Sequence, residues 1–66
     1  DNYPEHTLGE KIRKQRFLKG LTAKELGDLC NCSKNTIYAY ESDNAIPSHA
    51  LMEKITEALD VDISYF

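Results

Sequence analysis

Cys30, Cys32, His6 and His49 are the side chains in this sequence best suited to metal, redox or nucleophilic chemistry, and their spacing argues against each use. A disulfide across one intervening residue would be strained, and two cysteines are too few for a secreted disulfide scaffold. Zinc needs a fuller ligand set, and the two histidines stand at no recognisable ligand spacing. The thiols are therefore read as structural free thiols in a reducing cytoplasm, with no metal and no cofactor expected. There is no glycine-rich phosphate loop and no Ser/His/Asp or Cys/His constellation at usable spacing. No catalytic residue is assigned, and the chain is not read as an enzyme. The remaining polar groups, between Thr22 and His49, suit binding rather than bond making.

The elements that must position those groups are helical, because no stretch alternates apolar and polar residues for long enough to form a strand. Thr7 caps a first helix, and Glu10 completes its capping box. Leu8, Ile12, Gln15/Arg16 and Lys19 fall on one stripe, and Gly20 supplies the left-handed residue that ends the helix. Thr22 and Glu25 repeat the box for a short second helix whose inner face is Leu26, Gly27 and Cys30. Asn31, the non-glycine residue most tolerant of a left-handed conformation, predicts a tight turn. Ser33 caps a third helix from Lys34 to about Glu41, with Ile37 and Tyr40 inward. Residues 42–47 read as a loop. Ser48 starts a fourth helix with Leu51, Met52, Ile55, Ala58 and Leu59 inward. Asp60 breaks it, Val61 plugs the core, and Asp62 caps a final turn through Ile63, Tyr65 and Phe66. The expectation is an all-α chain of five short helices.

Sixty-six residues make one small domain, near the lower limit for folding without help. A hydrophobic fraction of 41% with 29% charged is that of a soluble globular domain, not a disordered tail. No apolar run approaches the ~18 residues of a membrane helix, and no segment resembles a secretory signal, so no membrane is expected. A core and a deep cleft compete for so few residues, which favours a binding module. The chain begins without an initiator Met, so a trimmed, processed or excised piece of a longer parent is the expectation. Residues 1–6 are set apart as an N-terminal arm, a candidate for disorder, and 7–66 as the folded domain.

The net charge of -3 hides an asymmetry. Residues 1–34 balance at +2, whereas residues 35–66 carry Lys54 alone among six acids, a balance of -5. Such polarity suggests one face for an anionic partner and another that avoids it. The alternative is ordinary solvated helix faces, and the negative total counts mildly against nucleic acid, whose small binders are mostly basic.

Two short helices joined by a tight turn are helix-turn-helix geometry, in which the second helix lies in the DNA major groove. Spacing alone is shared by any αα-corner. The residues from Leu21 to Glu41, however, resemble the helix-turn-helix of the lambda repressor/Cro-like (XRE-type) family of bacterial and phage regulators. The resemblance runs on through Pro47–Ser48 to Ala58–Val61 and back to Leu8–Gly9, covering about residues 7–66. It implies a lambda repressor-like fold with the motif at helices two and three. On this resemblance Cys30 and Cys32 replace Leu and Val around a turn glycine that is Asn31 here, so they would pack as small hydrophobes. Gly27 stands where the family has Ala. Arg16 and Glu41 match a pair that often bridges the first and third helices.

With Ile37 and Tyr40 inward, the step of about 100° per residue turns Lys34, Asn35, Tyr38 and Ala39 outward. The family's base-reading positions correspond to these four. Lys can donate to guanine O6/N7, Asn can pair with adenine N6/N7, and Tyr38 or Ala39 can pack on a thymine methyl. The alternative, a merely solvated surface, accounts poorly for the Tyr. Phosphate contacts would come from helix N-termini: Thr22 and Ala23, Ser33 and Thr36, Ser48 and His49. Lys24 and Asn44 would add side-chain donors. Singly each is more often a cap, and their convergence carries the assignment.

Three departures from the family pattern bear on affinity. Ala23 replaces a frequent Gln, the loop from Ser42 to Ile46 lacks Lys and Arg, and Asp43 there repels phosphate. Fewer phosphate contacts mean a weak monomer that depends on dimerisation. A homodimer on a palindromic operator is the expected arrangement. Ile63, Tyr65, Phe66, Leu18 and Leu29 are its candidate apolar contacts, against the alternative of local packing. The leading expectation is sequence-specific double-stranded DNA binding by a cytoplasmic, nucleoid-associated transcriptional regulator, a repressor. The rival is a protein-interaction module of the same fold, such as an antitoxin, with its partner on the acidic C-terminal half.

Overall fold

A computed structural model describes residues 6–66. The proposed N-terminal arm, apart from His6, lies outside the described residues. Among those described, the chain forms α1 (Leu8–Leu18), α2 (Ala23–Cys30), α3 (Lys34–Glu41) and α4 (His49–Leu59), with no strand. The expected fifth helix is instead a 3-10 turn, Ile63–Tyr65. Its bonds run from Tyr65 N–H to the Asp62 carbonyl and from Phe66 N–H to the Ile63 carbonyl. The stretch is too short for an i→i−4 ladder to nucleate.

Each helix starts where a hydroxyl takes over an orphan backbone donor. Thr7, Thr22, Ser33 and Ser48 accept from the N–H three residues on, at 3.1–3.2 Å. Thr7 and Thr22 are completed as capping boxes by Glu10 and Glu25. Such a cap is worth about 1 kcal/mol. The helices stop where the backbone turns left-handed: Gly20 at φ 71° after α1, Asn31 at φ 60° after α2 and Asp60 at φ 56° after α4. Short polar side chains tolerate that region better than branched ones. At Asn31 the chain reverses tightly enough for Cys32 N–H to reach the Gly27 carbonyl at 2.8 Å, which sets the turn between α2 and α3.

The core draws on every helix: Ile12 from α1, Ala23, Leu26 and Cys30 from α2, Ile37 from α3, and Ile55 and Leu59 from α4. Leu8, Leu21, Cys32, Tyr40, Leu51, Met52, Ala58, Val61 and Phe66 pack around it. Full burial of one such aliphatic side chain contributes roughly 1.5–3 kcal/mol. With so few, the domain also relies on close backbone approach, and two glycines permit it. A Cβ on Gly9 would collide with the carbonyls of Tyr40 and Glu41, so the first turn of α1 lies directly on the last turn of α3. A Cβ on Gly27 would meet the Cys32 carbonyl at 2.5 Å, so α2 rests on the turn that leads into α3.

Candidate nucleic-acid interface

The surface begins with the inward face of α3. Ile37 is fully buried and Tyr40 half-buried, which leaves Lys34, Asn35 and Tyr38 exposed and Ala39 half-exposed on the opposite side. Tyr38 keeps 51% of its surface in solvent, an unusual amount for a large aromatic that could have packed inward.

The tilt of α3 is held by Arg16 of α1. Its Nε and Nη2 donate to the two carboxylate oxygens of Glu41 at 2.5 and 3.0 Å, and Nη1 donates to the Leu21 carbonyl at 3.0 Å. Both side chains are under 10% exposed. The hydrogen bonds that Arg16 donates to Glu41, opposed by desolvation, raise the Arg16 pKa, so the guanidinium stays charged. A two-pronged buried pair of this kind fixes orientation more than it adds stability, because desolvation offsets the Coulomb gain.

The four helix N-termini differ in charge. The starts of α1 and α2 are occupied by carboxylates, since Glu10 and Glu25 accept the cap N–H groups of Thr7 and Thr22. The first turns of α3 and α4 hold no acid and are capped by hydroxyls alone. Their positive dipole ends remain the better anion sites. Ser33 Oγ and Thr36 Oγ1 share a 3.0 Å hydrogen bond at the start of α3. His49 stands exposed at the start of α4, 3.4 Å from Glu53.

Other sequence-assigned positions are less open. Ala23 is 2% exposed and its methyl group belongs to the core, so only its backbone could meet a phosphate. Thr22 is exposed but engaged in its capping box. Lys24 pairs with Asp28 at 3.2 Å on the surface, an exposed bond of little strength. Asn44 donates from Nδ2 to Ser42 Oγ at 3.0 Å, and its N–H caps the Ala39 carbonyl.

Asp43 has a role that the sequence reading missed. Its backbone is left-handed at φ 62°, and its carboxylate accepts from Gly9 N–H at 3.0 Å and Thr7 Oγ1 at 2.7 Å. The charge that counted against phosphate in this loop is thus spent at the start of α1, where the helix dipole favours it. A glycine in the first turn of α1, otherwise costly in a helix, was the only local signal of this junction.

The thiols are placed for packing. Cys30 is 2% exposed, Cys32 is half-buried, and both are free. Burial pushes both thiols up from their ordinary range, away from the reactive thiolate. At the C-terminal end Tyr65 and Phe66 are half-buried, not projecting. Phe66 packs on the core, its ring edge-on to Tyr65 at 5.1 Å, and Lys11 Nζ donates to the Tyr65 carbonyl at 3.3 Å. Local packing thus accounts for these two, while Ile63, Leu18 and Leu29 remain 42–58% exposed.

Fold and surface together define a helix-turn-helix domain, with α2 and α3 as the paired helices. The chain belongs to the helix-turn-helix family HTH_3, whose family model matches residues 11–66. It is 39% identical over 57 residues to multiprotein-bridging factor 1 of Candida albicans, covering 86% of this chain and 38% of that protein. It is 36% identical over 56 residues to endothelial differentiation-related factor 1 of Rattus norvegicus, covering 85% and 38% respectively. The chain therefore spans well under half the length of these curated relatives. Among solved structures it superposes on the P22 c2 repressor bound to a synthetic operator with a TM-score of 0.88 at 23% identity, covering 92% of each chain. It superposes on SinR in complex with DNA at 0.82 and 27% identity, covering 88% of this chain and 94% of that one. For Bacillus thuringiensis PlcR, in complex with the peptide PapR7 and DNA, the values are 0.84 and 31%, covering 92% and 21%. These matches establish the lambda repressor-like, XRE-type architecture.

Proposed function

We propose that this chain is the sequence-reading, double-stranded-DNA-binding domain of a transcription regulator, with α3 in the major groove. The observation that carries the reading is the exposed row Lys34, Asn35 and Tyr38, with Ala39 beside it, on a helix whose other face is locked into the core. Lys34 and Asn35 present donors and acceptors matched to guanine and adenine edges, while Tyr38 and Ala39 offer apolar contact to thymine methyls. Ser33 and Thr36 at the start of α3, and Ser48 and His49 at the start of α4, lie at the two acid-free N-termini and would meet phosphates. Thr22, the Ala23 backbone, Lys24 and Asn44 would add to these at the edge. The DNA complexes of SinR and PlcR support this choice of ligand.

A homodimer on an inverted repeat would set two recognition helices one DNA turn apart, the spacing at which such domains read a palindrome. A repressor, acting in the cytoplasm on the nucleoid, is the form this takes in a bacterial or phage regulator. The curated relatives named above are eukaryotic, so that origin rests on the solved structures alone.

Selection of bound sequences from a random duplex pool, at low and near-physiological salt, tests the proposal. Enrichment of a short inverted repeat, with affinity falling as salt rises, is the expected result. No enrichment at either salt overturns it and turns attention to the acidic C-terminal half, residues 35–66, as a protein-binding face.

A further inference from the structure

We propose that Arg13 of α1 is a further phosphate-contacting residue, supplying from the first helix the cation that the loop after α3 lacks. The inference rests on the DNA-binding reading above and adds a residue that neither the motif nor its helix caps include.

The exposed side of α1 meets the outward side of α3 in a shallow depression of about 380 Å³, lined by Arg13, Tyr38, Glu41 and Ser42. Tyr38 and Ser42 bound it on the α3 side: one belongs to the exposed row of α3, the other begins the loop between α3 and α4. A duplex seated on α3 would bring a backbone strand past this edge. The loop itself, from Ser42 to Ile46, contains no Lys or Arg. Its carboxylate, Asp43, is engaged by Thr7 and Gly9. Glu41, the other acid of the depression, is buried and balanced by Arg16. Arg13 therefore leaves the depression with an excess positive charge.

The position of Arg13 is also restrained. Its guanidinium carbon lies 5.0 Å from the centroid of the Phe17 ring, on which Arg16 also sits at 4.6 Å. A cation held over a ring face loses less conformational freedom on binding than one on a free stem, and guanidinium offers in-plane donors to a phosphate. A backbone phosphate is the occupant that this charge and shape favour. Because the contact is to the backbone, it carries affinity without sequence preference.

The test measures binding of wild type, Arg13→Gln and Arg13→Lys to a mixed-sequence duplex across a salt series, with thermal melting to check folding. Arg13→Gln is expected to bind severalfold more weakly at low salt, with the slope of log affinity against log salt reduced by about 1. Arg13→Lys should restore the slope. An unchanged slope in a folded Arg13→Gln overturns the inference and leaves the DNA-binding reading standing. So does a slope that Arg13→Lys fails to restore, since the charge is then not what acts. Absence of binding by wild type overturns both.

Discussion

Asp43 accepts the backbone N–H of Gly9 at 3.0 Å from 34 residues away, and so caps the first helix from the loop just beyond the third. The same carboxylate takes the Thr7 hydroxyl, so it bonds both the cap residue and the first turn of α1. Gly9 makes the approach possible, because any Cβ there would strike the Tyr40 and Glu41 carbonyls. Two elements distant in sequence are thereby welded where the α3 loop begins.

Removing this carboxylate should be felt as a lost charged hydrogen bond. Asp43→Ala is expected to cost about 1.5–3 kcal/mol in denaturant or thermal melts. Asp43→Asn keeps a residue tolerant of the left-handed backbone and should cost less. Equal melting of Asp43→Ala and wild type would remove the cap from this account.

Glycine-to-alanine changes within helices normally stabilise by up to about 1 kcal/mol. At Gly9 and Gly27 the sign should reverse, because the new methyl group meets backbone oxygens that cannot move away. A loss of about 1–3 kcal/mol is expected for each. A gain in either variant would show that the close approach is softer than described.

Truncating one partner of the Arg16–Glu41 pair leaves a buried charge alone. Arg16→Ala or Glu41→Ala should each cost about 3–5 kcal/mol, while an apolar double replacement should recover much of the loss. A double-mutant cycle measures the coupling. If Arg16→Ala melts like wild type, the pair does not hold α3 in place.

If the proposed function holds, base reading and folding should separate at Lys34 and Asn35, which are exposed and absent from the core cluster. Lys34→Ala and Asn35→Ala should each fold normally, weaken binding to the selected duplex by about 1–3 kcal/mol and relax preference at one base position. Wild-type selectivity in both variants would take α3 out of the reading role.

The thiols give a pH dependence whose sign follows from burial. The folded chain holds the Cys30 proton above the ordinary thiol pKa of 9.0, whereas the unfolded chain releases it there. The folded state then binds more protons, so stability is fully present below about pH 9 and declines above it. Alkylation followed by mass spectrometry should label half-buried Cys32 before Cys30. Equal rates at neutral pH would contradict the burial of Cys30.

The helices themselves are legible in the sequence because their signals are local. A hydroxyl at the cap, an acid three residues on, an apolar stripe and a left-handed Gly, Asn or Asp at the end all act within a turn or two. They place α1 to α4 and the outward face of α3. The same locality overstates the final turn, where a cap and apolar residues suggest a helix that the short stretch after Asp62 cannot complete.

What only the tertiary structure decided are contacts between residues far apart in the chain. Ala23 reads as a surface position at a helix start, yet its methyl group is buried in the core cluster. Tyr65 and Phe66 read as projecting, yet Lys11 and the core draw them back. Asp43 reads as a repulsive charge in a loop, yet the first turn of α1 claims it. Local propensity and spacing specify the elements through bonds that each segment makes with itself. Which charges stay available to a partner depends on which are consumed when the segments meet.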